Sequence, residues 1–148
     1  MKRILVYFGH GAWCYGHGPC NPVFDAVHAG CKQQSRTSAG SSRNWETYLA
    51  DDRGYLNADE TVNPLFHNWT LVFLPYCDGT SFSGDASWKG VYYHGRWILK
   101  AAIAELRGMG AHRAEKVVVA GASSGAMAVY YHADKIRLAL SAGHGGAE

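Results

Sequence analysis

Residues 116–125 read Lys-Val-Val-Val-Ala-Gly-Ala-Ser-Ser-Gly, and this segment more than any other indicates how the chain folds. Lys116 to Ala120 is a short β-branched run typical of a buried strand, and Ala126 to Tyr131 can continue as a helix. Between them, Gly121 to Gly125 fits the Gly-x-Ser-x-Gly pattern of a sharp turn that lifts a serine hydroxyl clear of the sheet edge. The first helical N–H groups point to the same place. We therefore predict that Ser123 is a nucleophile; a Gly/Ser-rich loop is the plainer alternative.

Two further runs supply strands for an open parallel sheet. Lys2 to Phe8 and Thr70 to Tyr76 are largely apolar rather than alternating, which is typical of strands covered on both faces. A helix is predicted from His94 to Met109, with Gly110 as its stop. One apolar stripe at helical spacing runs along it, formed by Leu99, Ala102, Ile103 and Leu106. Strands and helix together indicate an α/β fold.

The ligand site of such a sheet lies at the carboxyl ends of its strands. That edge collects Gly9 to Cys14, Tyr76 to Asp85 and Ser123. The long segment 9–68 is rich in Gly, Ser, Asn and Asp, so we expect mostly loop, with a short helix near residues 44–50. Long irregular stretches inside one domain are usually functional. The small, polar tail 141–148 is expected to fray.

Composition narrows the class of protein. A chain of 148 residues with 47% hydrophobic and 18% charged residues is expected to form one globular domain. The net charge of +2 is too small to indicate nucleic acid as a partner, and no apolar run is long enough for a membrane span. Ile4 to Phe8 is too short for a signal peptide and reads as a strand. The chain is therefore expected to be intracellular or to lack its true beginning.

The spacing of the cysteines and histidines does not indicate a metal site. Cys14, Cys20, Cys31 and Cys77 include no Cys-x-x-Cys pair, and the eight histidines show no ligand spacing. We therefore predict neither a metal nor a cofactor. Cys14 and Cys20 bracket a Gly/Pro-containing loop that can close as a small disulfide ring, which would suit an oxidising compartment; four reduced thiols remain the alternative.

Several motifs, taken in order, carry a family resemblance. Gly9-His-Gly-Ala-Trp-Cys14 is similar to a Gly-Gly-Gly-Trp-Cys loop, and Tyr76-Cys-Asp-Gly-Thr-Ser-Phe-Ser-Gly-Asp85 to a Tyr-Cys-Asp-Gly-Ala-Ser-Phe-Ser-Gly-Asp block. With these two motifs and the Ser123 turn, the chain resembles the pectin acetylesterase and Notum family of serine carboxylesterases. The remaining matches are Arg36 to Ser42, Asn63 to Trp69 and His132-Ala-Asp134.

The resemblance implies a partial α/β-hydrolase-like (flavodoxin-like) parallel sheet with a nucleophile elbow at Ser123. It also implies an oxyanion hole, a set of N–H donors for the negatively charged oxygen of the transition state, built from backbone N–H groups of Gly11, Ala12 and Ser124. Trp13 is expected either to pack beside that loop or to fill the core. Asp78 is expected to orient the loop rather than to act in catalysis.

The implied substrate is an acylated polysaccharide, pectin-like, or an acylated protein. The block from Tyr76 to Asp85 looks more like the pectin acetylesterase branch than the Notum branch. This resemblance favours an acetyl group over a long acyl group in the substrate. Members of the family are largely secreted, so the resemblance implies an extracellular location. The Asn68-Trp-Thr70 sequon enters a predicted strand, so we expect it to remain unglycosylated.

The chain also departs from the family pattern. The Asp and His of the family's triad lie well downstream of the elbow, whereas 23 residues follow Gly125 here. Asp134 belongs to the helix after the elbow and is not expected to be the triad acid, and His144 is not expected to reach the site from the tail. The family cysteine expected to pair with Cys77 has no counterpart here, and Cys31 matches no family cysteine.

These departures predict a fragment of a longer esterase, or a truncated product with little activity. The elbow strand is then expected to leave an open, apolar sheet edge. Two alternatives remain. One is a non-catalytic remnant that binds a partner or an acyl ligand. The other is a flavodoxin-like module whose residues 9–12 cradle a phosphate.

Overall fold

A computed structural model describes residues 2–14, 30–46 and 54–141. Three parallel strands form the main sheet: β1 (Arg3–Phe8), β2 (Thr70–Leu74) and β5 (Lys116–Gly121). Their order is β2-β1-β5, so β1 is central and pairs in parallel with both neighbours. Helix α1 (Gly95–Gly108) precedes β5, and helix α2 (Ser124–Ser141) follows it. The predicted parallel α/β arrangement is confirmed.

The core lies between one face of this sheet and the two helices. Alternate residues of β1 point to opposite faces of the sheet, and Ile4, Val6 and Phe8 are buried in a single cluster with residues of both helices. From α1 the cluster takes the predicted stripe, in which Leu99, Ile103 and Leu106 are buried. From α2 it takes Ala128, Ile136 and Leu140. Leu5 and Tyr7 belong to the opposite face.

Element boundaries differ from the prediction where local chemistry intervenes. Strand β2 ends at Leu74, because Pro75 lacks the N–H needed to continue a ladder. Helix α2 extends ten residues beyond Tyr131. In place of the predicted helix near 44–50, Ser42–Asn44 forms a single 3-10 turn, and residues 47–50 lie outside the described part of the chain.

A small antiparallel hairpin was not predicted. It joins β3 (Ala86–Trp88) to β4 (Val91–Tyr93), with Lys89 and Gly90 in the turn, both at positive φ. Each strand is 3 residues long, which is too short for an alternating pattern to be recognised in the sequence.

The disulfide prediction is wrong in its pairing. Cys14 is bonded to Cys31, with 5.6 Å between their Cα atoms, and Cys20 lies outside the described residues. Residues 30–34 are helical, and this turn brings Cys31 beside the loop that follows β1. Cys77 is a free thiol within the described residues, and burial, followed by the neighbouring Asp78 carboxylate, raises its pKa.

Within the described part of the chain, the outer edge of the elbow strand is unpaired, as predicted. Among the described residues, β5 pairs with β1 alone, and β1 separates it from β2. A cavity of about 250 Å³ lies beside this edge, between β5 and α2, with Val117, Val119, Ile136 and Leu140 in its wall. No helix in the described ranges combines the length and apolar character required to cross a bilayer.

Candidate active site

Ser123 occupies a strained turn between β5 and α2. Its φ of +50° lies in the left-handed region, which is costly for a residue with a Cβ and recurs at functional sites. A Cβ added at Gly121 would lie 2.6 Å from the Gly125 carbonyl carbon, and one at Gly125 would overlap the carbonyl oxygens of Phe8 and Gly9. Two glycines therefore allow the turn to be this tight, and the Ser123 residue is exposed at its apex.

The loop after β1 is held against this turn by a backbone contact. The Gly11 N–H donates to the Ser124 side-chain oxygen at 2.8 Å, and a Cβ at Gly11 would overlap the ring of Tyr76. The predicted oxyanion donor at Gly11 is thus occupied by another acceptor. Of the predicted set, the N–H groups of Ala12 and Ser124 remain, and Ser124 stands in the first turn of α2, where helix N–H groups lack intrahelical acceptors.

A second set of hydrogen bonds runs through the block between residues 76 and 85. The buried Ser81 hydroxyl donates to the Ser124 carbonyl at 2.7 Å and accepts from the Trp13 indole N–H at 2.8 Å. The Tyr76 hydroxyl accepts from the Ser81 N–H at 3.3 Å. Trp13 is 43% exposed, so it lies beside the loop and does not fill the core.

Asp78 stabilises the loop around Ser81 by accepting hydrogen bonds from it. Its Oδ2 accepts from the backbone N–H groups of Thr80 and Phe82, each at 3.0 Å, and from the Thr80 hydroxyl. The same oxygen lies so close to Gly95 that any Cβ there would overlap it. A carboxylate at this point also faces the N-terminus of α1, where negative charge is favoured. These contacts describe a loop-forming role.

His132 is the histidine of α2 that faces this block. Its Nε2 lies 2.9 Å from the Ser83 hydroxyl oxygen, and burial, followed by the nearby Lys135 charge, lowers its pKa. Both effects favour the neutral ring. Within residues 2–14, 30–46 and 54–141, no histidine hydrogen-bonds the Ser123 hydroxyl. His144 lies outside those ranges.

Sequence reasoning missed the roles of the Ser81 and Ser124 side chains. Both are polar and buried, at 0% and 2% exposure, and buried hydroxyls are nearly always hydrogen-bonded. A sequence pattern cannot show that a serine is buried when Gly and Ser surround it. The available indication was their placement after two strands of the same sheet, β2 and β5, at the carboxyl edge where the predicted ligand site lies.

Comparison with known proteins gives a consistent set of relatives. A family model described as Pectinacetylesterase matches residues 1–144. Pectin acetylesterase 5 of Arabidopsis thaliana is 36% identical over 90% of this chain and 30% of its own length. The human palmitoleoyl-protein carboxylesterase NOTUM is 28% identical over 91% of this chain and 26% of its own length.

A solved structure agrees with the sequence comparisons. The Wnt deacylase Notum from Drosophila matches with a TM-score of 0.74 at 27% identity, covering 93% of this chain and 38% of that one. The chain thus spans between 26% and 38% of the length of these relatives. The α/β fold described above is shared with the Notum structure.

Proposed function

Because the chain belongs to the pectinacetylesterase family, we propose that it carries the nucleophile of a serine carboxylesterase of the pectin acetylesterase type. The observation on which this depends is the turn at Ser123, with its positive φ and its two tightly packed glycines. A hydroxyl presented at the carboxyl ends of parallel strands, beside helix N–H groups, suits attack on an ester carbonyl.

In the proposed reaction, Ser123 Oγ forms a bond to the acyl carbon while its proton passes to a base. The oxygen of the resulting tetrahedral intermediate accepts from the N–H groups of Ala12 and Ser124. The alcohol then leaves with that proton, and water hydrolyses the acyl-enzyme. Loss of one oxyanion donor typically costs about 3 kcal/mol of transition-state stabilisation.

We propose that the base and the acid that orients it are not among these 148 residues, because the chain spans 30% of the length of pectin acetylesterase 5 and the family's triad Asp and His lie well downstream of the elbow. No described histidine contacts Ser123, and Asp134 is an exposed residue of α2. The 148-residue chain by itself is therefore expected to hydrolyse esters poorly. This property favours a second candidate function, in which the chain binds an acyl ligand or a partner without catalysis.

An acetylated polysaccharide is the proposed substrate in preference to an acylated protein. Four pectin acetylesterases are 27–36% identical to this chain, and four Notum proteins are 26–28% identical. An extracellular location is proposed with it, because disulfides such as Cys14–Cys31 persist in oxidising compartments.

Labelling with a fluorophosphonate, with and without added imidazole as a substitute base, tests the nucleophile. We expect an adduct at Ser123, located by peptide mass spectrometry, that forms faster when imidazole is added. Ser123→Ala should abolish it, whereas Ser87→Ala, which changes an exposed serine of β3, should not. A folded chain that gives no adduct, or an adduct at another serine, would support the non-catalytic alternative. Fast ester hydrolysis without imidazole would contradict the proposed external base.

A further inference from the structure

A cavity of about 610 Å³ opens on the face of the sheet opposite the helices, at the carboxyl ends of β1 and β2. Its volume falls within the roughly 300–1,000 Å³ typical of small-molecule sites. Rings dominate its wall, and we call this cavity the aromatic groove. The rings are those of Tyr7, His10, Trp45, Tyr55, Phe73 and Tyr76.

Two rings of the aromatic groove, those of Trp45 and Tyr55, are held by contacts within the protein. The Trp45 indole N–H donates to the Ser38 carbonyl at 2.7 Å. The Tyr55 ring packs edge-on against Phe66, with 6.1 Å between ring centroids. Tyr55 nevertheless remains 57% exposed. A rigid surface of this kind binds a flat ligand at low cost in conformational entropy.

The aromatic groove lies next to the elbow. His10 precedes Gly11, and Tyr76 packs directly against Gly11. Gly11 in turn donates to Ser124, the neighbour of Ser123. A ligand in the groove would therefore lie beside the reacting ester, separated from it by the loop after β1.

We propose that the aromatic groove binds a sugar ring of the polysaccharide that carries the ester. This inference rests on the proposed function and identifies where the glycan lies. A pyranose has an apolar C–H face and a rim of hydroxyls. Aromatic rings such as Tyr55 and Trp45 cover the former, and the His10 imidazole and the Ser38 hydroxyl, which border the groove, can hydrogen-bond the latter. A long acyl chain would match the rings and leave those polar groups unused.

Binding of an oligogalacturonide without ester groups, measured by calorimetry on a Ser123→Ala chain, tests the inference without any catalytic step. We expect saturable binding, and we expect Tyr55→Ala to raise Kd about tenfold, as loss of one stacking ring does elsewhere. Tyr55→Trp, which keeps an aromatic face, should bind like its parent. Tyr130→Ala removes a tyrosine of α2 that is 83% exposed and lies outside the groove, so it should leave Kd unchanged.

Two further ligands decide the chemistry of the site. An oligogalacturonide carries a carboxylate on each sugar, and a xylo-oligosaccharide carries none. Equal binding of a neutral xylo-oligosaccharide would support the inference and show that the protein recognises the sugar ring rather than its carboxylate. A medium-chain fatty acid that competes with the oligogalacturonide would overturn the inference in favour of an acyl pocket. Absence of sugar binding to a folded chain, or equal binding by Tyr55→Ala, would also overturn it.

Quenching of Trp45 fluorescence by the sugar, compared with Trp45→Phe, gives a second readout if Tyr55→Ala fails to fold. Fluorophosphonate labelling of Ser123 is independent of all these results, so failure of this inference and failure of the proposed function are distinguishable.

Discussion

The hydroxyl of Ser81 joins three segments of the candidate site. It donates to the elbow at Ser124 and accepts from Trp13 on the loop after β1, while its own segment is shaped by Asp78. All of this happens at a fully buried position with a φ of +52°. Together with the bond between Gly11 and Ser124, this side chain therefore fixes the distance between the nucleophile turn and the loop that carries Ala12.

Ser81→Ala should lower the free energy of unfolding by about 1–3 kcal/mol, because it leaves a buried carbonyl and an indole N–H without their partners. Urea unfolding measures this loss. Imidazole-assisted labelling of Ser123 should slow as well, since the loop is no longer fixed to the elbow. The matched change Ser87→Ala, at an exposed serine of β3, should stay within about 0.5 kcal/mol. Equal effects of the two substitutions would contradict the role given to Ser81.

At the scale of elements, the site depends on how closely α2 approaches β1. Gly125 lies in the first turn of α2 and contacts the carbonyl oxygens of Phe8 and Gly9, where no side chain fits. These rigid backbone atoms cannot move aside as a side chain can. The helix axis, and with it the position of Ser123, is therefore determined by the absence of a Cβ at this position.

Gly125→Ala is expected to destabilise the chain by about 1–3 kcal/mol, as overpacking does in other cores, and to suppress labelling of Ser123. Gly108→Ala is the control, because a Cβ at that helical glycine meets nothing within 4 Å. There, stability should be unchanged or raised by up to about 1 kcal/mol. Thermal unfolding of both variants checks the pair. A stable Gly125→Ala chain with normal labelling would show that α2 can shift without consequence for the elbow.

Across the whole molecule, the central strand of the sheet and its edge strand β5 differ in their hydrogen bonding. Strand β1 is bonded on both sides, whereas β5 is bonded to β1 alone within the described ranges. Apolar side chains line the cavity beside the outer edge of β5. Open strand edges of this kind favour association with other chains.

Amide hydrogen exchange should reflect this topology. We expect the amides of Ile4 to Phe8 to be the slowest in the chain, and alternate amides of β5 to exchange faster because half of them point away from β1. Nuclear magnetic resonance at low protein concentration resolves the two strands. Uniform protection along β5 would mean that its edge is covered, and sedimentation at several concentrations would then show whether a second copy covers it.

Much of the fold followed from local patterns. Lys116 to Gly121 is β-branched, and the stripe of α1 has helical spacing, so these elements were predictable within one or two residues. The hairpin at 86–93 was not, because each of its strands has only 3 residues, too few for a recognisable alternation. The pairing of Cys14 with Cys31 escaped for a different reason: disulfide choice depends on which cysteines the fold brings together, and nearness in sequence does not determine that.

The parallel α/β class, the turn at Ser123 and the need for glycine on either side of it could be predicted from the sequence, because strand propensity and backbone strain are local properties. Three features emerge from the folded chain alone: the Gly11 N–H bonds Ser124, Ser81 joins elbow and loop, and rings from distant segments line one groove. Those contacts join residues up to 113 positions apart, and their partners are chosen by the packing of the sheet, the helices and the loops around them.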